Sequence, residues 1–237
     1  MLKVMKRLVF LFISIVCWCG VYAQSRNVKC TYAASHVISD AVKNMEDVHI
    51  RELVIEKFKN DKKTFSMIFA NGIYSFCEVK GNEDPNFMVM GGSNSVYIDT
   101  NKDSIIAQKC IIDKDFLVKD KYQPRDWELT KERKTINGKE CVKAITKGKS
   151  TITAWFTTEI PLSVGPLGYI GLPGIIMQLD TPTYSYVLQE IVELAEVPKI
   201  EKPTEGKVVT LAEFDKLEAE KMKSRGVEPG QVKIIHL

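Results

Sequence analysis

The stretch Ala154–Met177, which reads A-W-F-T-T-E-I-P-L-S-V-G-P-L-G-Y-I-G-L-P-G-I-I-M, leaves a chain few ways to fold. It opens among β-formers at Trp155 and Phe156, crosses a loop with four glycines and three prolines, and re-enters an apolar strand at Ile175. Surface loops are polar because a buried loop strands its backbone N–H and C=O groups. A loop that carries Leu162, Val164, Leu167, Tyr169, Ile170 and Leu172 must therefore be folded against other parts of the chain. Gly171 and Gly174 are expected where a side chain would clash or positive φ is required, with Pro173 setting the turn between them.

The rest of the chain supplies short β-runs for that crossing to pack on. Phe65–Phe69 and Ile73–Val79 flank Asn71-Gly72, and Arg133–Ile136 and Lys139–Thr146 flank Asn137-Gly138. Asn-Gly between two β-rich runs predicts a hairpin, since both central residues of a type I′ turn need positive φ. Further strands are predicted at Val28–Ala33, Val48–Phe58, Phe87–Met90, Ser95–Asp99, Ser104–Ile112, Asp115–Lys119, Thr151–Thr157, Ile175–Leu179 and Tyr184–Leu194. His36–Asp47 reads either way. The expected fold is mainly β, an antiparallel meander forming a curved sheet, half-barrel or sandwich. One C-terminal α-helix is expected at about 210–225, opened by the capping box Thr210-Leu-Ala-Glu213 and stopped near Gly226.

Met1–Ala23 reads as a secretory signal: a basic start at Lys3, Lys6 and Arg7, an apolar run from Leu8 to Cys19, and the small-x-small ending Val21-Tyr22-Ala23. That run is too short for a span of about 20 residues. Lipidation at Cys17 or Cys19 is the alternative, though the residues before them are not the small ones such processing favours. Cleavage near Ala23 predicts a periplasmic or secreted domain of about 214 residues, 237 less 23, with no transmembrane segment. It also removes three of the 33 basic residues and none of the 30 acidic ones. The balance becomes 30 against 30, which supports neither nucleic-acid nor acidic-membrane binding.

Four cysteines remain, Cys30, Cys77, Cys110 and Cys141. In an oxidising compartment they suggest two disulfides, with three possible connectivities. A zinc site is the alternative, but the gaps of about 30 residues lack the close ligand pairs such sites use.

Six blocks, taken together and in order, resemble a known family: Trp127-Glu-Leu-Thr, Lys134-Thr-Ile-Asn-Gly-Lys-Glu-Cys141-Val-Lys-Ala144, Ala154-Trp-Phe-Thr, Glu159-Ile-Pro161, Gly165-Pro166 and Gly171-Leu-Pro-Gly-Ile-Ile176. The series is similar to the GLPGLI family of exported Bacteroidetes proteins, over about Trp127–Leu188, with weaker likeness at the 65–79 hairpin. Ile175 stands where that family usually has leucine. The resemblance implies an exported protein whose gene neighbours often encode TonB-dependent outer-membrane transporters. It brings no catalytic residues and no cofactor. The motif residues Trp127, Cys141, Trp155, Glu159, Pro161, Gly165, Pro166, Gly171, Leu172, Pro173 and Gly174 are expected to be structural.

Motifs for chemistry are sparse. His36, His49 and His236 are far apart and sit in no ligand-spaced pattern. There is no G-x-S-x-G elbow, and neither glycine-rich segment of the crossing is followed by Lys-Ser/Thr. Glu159 reads as a cap for backbone N–H groups rather than a raised-pKa acid. Trp127 and Trp155 read as core aromatics, each with one partner for its indole N–H. Three functions are compatible with these features. The first is a non-enzymatic periplasmic binding or accessory module associated with an outer-membrane transporter or another envelope protein. The second is a LolA-like half-barrel carrier of lipid or another amphiphile. A hydrolase built on scattered residues such as His49 or Glu159 comes last.

Overall fold

A computed structural model describes residues 27–79, 95–111, 114–146 and 151–224. The signal reading of residues 1–23, the strand expected at 87–90, the helix stop at Gly226 and His236 lie outside the described residues.

Among the described residues twelve strands form one sheet. In chain order they are β1 (Val28–His36), β2 (Lys63–Ala70), β3 (Ile73–Glu78), β4 (Ser95–Asp99), β5 (Ser104–Ile111) and β6 (Lys114–Lys121). They continue as β7 (Trp127–Ile136), β8 (Lys139–Thr146), β9 (Thr153–Thr157), β10 (Ile175–Asp180), β11 (Tyr184–Glu193) and β12 (Lys207–Val209). The order across the sheet is β12-β6-β5-β4-β3-β2-β1-β11-β10-β9-β8-β7. Two antiparallel meanders, β2–β6 and β7–β11, are therefore joined by β1, which pairs with β2 on one side and β11 on the other. The pairing of β12 with β6 is parallel.

Both Asn-Gly hairpins form. Asn71 and Gly72 have φ of 50° and 77°, and Asn137 and Gly138 have 48° and 76°, the pair of positive values a type I′ turn demands.

The sheet has to curl. Lys121 at the end of β6 and Trp127 at the start of β7 are six residues apart, a reach of about 20 Å at most. Their strands stand ten positions apart in the sheet, which laid flat would be about 48 Å. The short link draws the two margins together, and the concave side encloses the main core: Tyr32, Phe65, Tyr74, Phe76, Ile98, Phe116, Phe156 and Leu188, all buried. The outer side is covered in part too. All five residues of β4 are buried, and Ile200, from the segment between β11 and β12, packs against Cys77 and Tyr97.

Three helices are described: α1 (Asp40–Lys43), α2 (Val48–Asn60) and α3 (Leu211–Ser224). The last is the expected C-terminal helix, and its capping box forms: the Glu213 carboxylate accepts from Thr210 N–H at 2.8 Å, and Thr210 Oγ1 accepts from Glu213 N–H at 3.3 Å. Phe214 docks it edge-on against Phe116 of β6, with ring centroids 5.7 Å apart.

Helix α2 corrects the strand expected over Val48–Phe58. Ile50, Val54 and Phe58 are spaced by four, a multiple of two that also fits one helical face. The half-buried residues Arg51, Val54, Ile55 and Phe58 trace the i, i+3, i+4, i+7 stripe of a helix. The start is decided locally, because the Asp47 carboxylate accepts from Ile50 N–H at 3.0 Å and so acts as an N-cap.

The disulfide expectation is also corrected: no disulfide joins the four described cysteines. They lie on β1, β3, β5 and β8, and no two of these strands are neighbours in the sheet. Strands one apart are about 9.6 Å away across the sheet, beyond the 4.4–6.8 Å that a disulfide spans between Cα atoms.

Candidate functional site

The crossing between β9 and β10 is drawn into the concave side of the sheet. Leu162, Val164, Pro166, Gly168, Leu172 and Gly174 are all buried. It folds back on its own exit strand, with Ile175 N–H donating to Ile160 O at 3.1 Å and Ile176 N–H to Val164 O at 3.0 Å. From the far side of the core the Tyr74 hydroxyl donates to Gly165 O at 2.7 Å and accepts from Gly168 N–H at 2.8 Å. Tyr32 O–H donates to Ile176 O at 2.8 Å. Burial drives both phenols well above their ordinary range, so they stay protonated and able to donate. These contacts satisfy the polar groups that a buried loop would otherwise strand.

The glycines serve different ends. A Cβ on Gly174 would stand 1.9 Å from the Thr157 carbonyl oxygen, so contact with backbone requires glycine there. At Gly171 a Cβ would meet nothing closer than 3.7 Å, and it is the φ of +105° that requires glycine. Leu167 takes a φ of 57° without being glycine, a conformation that costs a branched side chain about 1–2 kcal/mol.

Where the crossing surfaces, beside Leu167 and Tyr169, it forms one wall of a groove of about 360 Å³. A second wall is the end of β6 and the link that follows, with Asp120, Lys121, Tyr122 and Arg125; a third is the first turn of α3, with Leu211 and Asp215. The Arg125 guanidinium lies 5.5 Å over the Tyr169 ring, and Trp127 stands tilted to that ring at 5.9 Å. Trp127 Nε1–H donates to Ile170 O at 3.3 Å. Burial raises the Tyr122 phenol to about 12 and raises Tyr169 as well, so both stay neutral at physiological pH. Asp120 is engaged, accepting from Leu211 N–H at 3.1 Å and from Lys121 N–H at 2.7 Å. The groove thus joins apolar and aromatic surface to charges of both signs. That suits it to hold a small ligand or a short stretch of chain.

The other sequence candidates lie elsewhere. Glu159 is exposed and caps the β7–β8 hairpin, accepting from Glu140 N–H at 3.2 Å and Lys139 Nζ at 3.1 Å; these contacts lower its carboxyl from the ordinary value. Trp155, like Trp127, packs against the core without being fully buried. It is half-buried, with Lys134 Nζ 4.2 Å and Lys143 Nζ 5.9 Å from its ring. Pro161 and Pro173 are exposed, and Cys141 is buried on β8. His49 lies on α2, away from the groove. His36 does meet a partner: its Nε2 is 2.7 Å from Asp61 Oδ2, and its ring sits between Phe58 at 4.3 Å and Tyr184 at 4.2 Å. That imidazole faces a carboxylate rather than a hydroxyl or thiol. Among the described residues no group of three or more His, Cys, Asp or Glu side chains is placed to hold a metal ion. No described helix is long and apolar enough to cross a membrane.

Residues 145–178, which span β9, the crossing and the start of β10, match a family model described as a protein of unknown function, Porph_ging. The match thus falls on the element that fills the concave face. Among solved structures the chain is similar to PNGF-II, in its P21 crystal form at TM-score 0.52 and in its C2 form at 0.50, both at 12% identity over 83% of this chain. The chain spans about a third of PNGF-II, 34% and 33% of the two chains compared, and at that identity the likeness is one of fold. A search of curated proteins finds no significant match.

Tyr122, Arg125 and Asp120 were not singled out from the sequence. Their signal was slight: a Lys-Tyr-Gln-Pro-Arg run after a strand, whose role depends on a loop some 40 residues away and a helix 90 residues away.

Proposed function

We propose that this chain is an exported, non-enzymatic binding module of the GLPGLI type, working in the cell envelope as an accessory to an outer-membrane transporter or a similar partner. The observation that carries this reading is the buried crossing. It fills the concave side of the sheet with the protein's own Leu162, Val164, Pro166 and Leu172, and recognition falls to the surface groove beside Tyr169. The occurrence of the fold as about a third of the longer PNGF-II chain suits a module that works with other parts. An amphiphile carrier would need that concave space open, so the half-barrel reading stands second. The dyad of His36 and Asp61, engaged with each other, gives a hydrolase no activated nucleophile to build on.

Capture from envelope extracts tests the proposal. The tagged mature protein should retain an outer-membrane protein under mild detergent, and Arg125→Glu, at an exposed position, should lose it while melting like wild type. Equal capture by the two proteins, or recovery of no outer-membrane protein at all, would remove the reading.

A further inference from the structure

Resting on that binding-module reading, we infer that the groove takes a peptide segment that presents a carboxylate, from an acidic side chain or its own C-terminus, next to an apolar residue. Three observations narrow the ligand to this class. First, Arg125 lies over the Tyr169 ring and no carboxylate among the described residues is paired to it, so its planar fork of N–H donors is partly placed before a ligand binds. Guanidinium groups match carboxylates bidentately, which sets the chemistry of the group they receive. Lys121 adds a second positive charge on the same wall, where the one acid, Asp120, is taken up by the Leu211 and Lys121 backbone N–H groups, whereas the acid Asp215 stands on the helix wall. The groove is therefore polarised, and a ligand with one anionic end fits it in one direction.

Second, Ile105, Leu167 and Leu211 give the groove an aliphatic lining beside the charged end. Leu167 is held there in the left-handed region, a strain that the flanking turn imposes while keeping that side chain at the groove wall. Third, the aromatic surface is not a flat open platform. One face of Tyr169 lies under Arg125, and Trp127 is tilted against the ring at 58°. A sugar ring needs a free aromatic face to stack on, so the arrangement favours a side chain over a saccharide. The volume, near the lower end of the range for ligand pockets, suits two or three residues of an extended chain.

The test is an NMR titration of the isotope-labelled mature protein with a Gly/Ser octapeptide ending Leu-Glu with a free C-terminus. Companion peptides ending Leu-Glu-amide, Leu-Gln acid and Leu-Gln-amide separate the two sources of carboxylate. The acidic peptides should shift the amides of Leu167, Gly168, Tyr169 and Ala212 and bind about ten-fold or more tighter than Leu-Gln-amide, a charge-assisted increment. Arg125→Gln should erase that difference. Equal binding of Leu-Gln-amide would overturn the inference. So would equal shifts from inorganic phosphate, or shifts at these amides from maltohexaose alone. No response to any peptide, alongside partner capture that Arg125→Glu abolishes, would remove this ligand and leave the binding-module reading in place.

Discussion

Two apolar excursions leave the sheet, and they are held in opposite ways. The crossing between β9 and β10 lies inside the curl, tied by Tyr74 and Tyr32 hydroxyls to its own carbonyls and an N–H. Helix α2 lies outside, has no buried residue, and leaves Val48 and Leu53 more than half exposed. Its purchase on the sheet is a small stack in which Phe58 meets the His36 ring and Asp61, just past the helix end, takes hydrogen bonds from His36 and Tyr184. The first element is over-determined by packing and buried hydrogen bonds; the second rests on a few half-exposed contacts. Local opening free energies should differ accordingly, with α2 near the low end and the crossing near the global value.

Gly174→Val should be the most damaging substitution in the crossing. The new side chain must enter space held by the Thr157 carbonyl, and a loss of about 3 kcal/mol or more is expected, lowering Tm by about 10 °C. A wild-type melt would mean that the crossing is not locked in the core. Tyr74→Phe comes next. It keeps the ring but strands the Gly165 carbonyl and the Gly168 N–H in a buried site, costing about 2–4 kcal/mol in chemical denaturation. A change below 0.5 kcal/mol, roughly the noise of unrelated surface substitutions, would show that the hydroxyl does not hold the loop.

Phe58→Ala should act on the other element. A global loss of only about 1 kcal/mol is expected, with faster hydrogen exchange confined to α2. Exchange that speeds up equally in β1 and β2 would mean that helix and sheet open as one unit. The smallest effect expected is that of acid. The His36 hydrogen bond holds the Asp61 carboxyl below its ordinary value of 3.8. Because the folded value is the lower one, its stabilisation is complete above about pH 3.8 and is lost as pH falls through the depressed value. With Asp61 partly exposed, the contribution is under about 1 kcal/mol. The opening free energy of α2, taken from exchange rates corrected for their intrinsic pH dependence, should fall between about pH 4 and pH 2 more than that of the crossing, and Asp61→Asn should flatten that difference. A pH dependence unchanged in Asp61→Asn would assign it to other groups.

How much of this was legible beforehand depended on the range of the interactions involved. The hairpins at Asn71-Gly72 and Asn137-Gly138 follow from two residues that tolerate positive φ, and the α3 start follows from Thr210 and Glu213, which satisfy each other's amides. Such signals are local, so the chain carries them in full. The burial of the crossing was readable as well, since an apolar loop has nowhere else to go. Helix α2 was not, because a spacing of four satisfies both a strand and a helix, and the Asp47 cap that breaks the tie is a single acceptor without the reciprocal glutamate that marks the start of α3.

What the tertiary structure alone decided are the pairings that span long stretches of chain. The insertion of β1 between β2 and β11, and the parallel contact of β12 with β6, join segments with no periodicity in common. The separation of all four cysteines onto non-neighbouring strands follows from that order and from nothing in their spacing. The groove belongs to the same class. Tyr122, Tyr169 and Leu211 come from a link, a loop and a helix, and they meet because a six-residue reach pulls the two margins of a curled sheet together. A sequence writes its turns and caps residue by residue, but a cavity exists between elements, and its walls are chosen by the closure of the whole sheet.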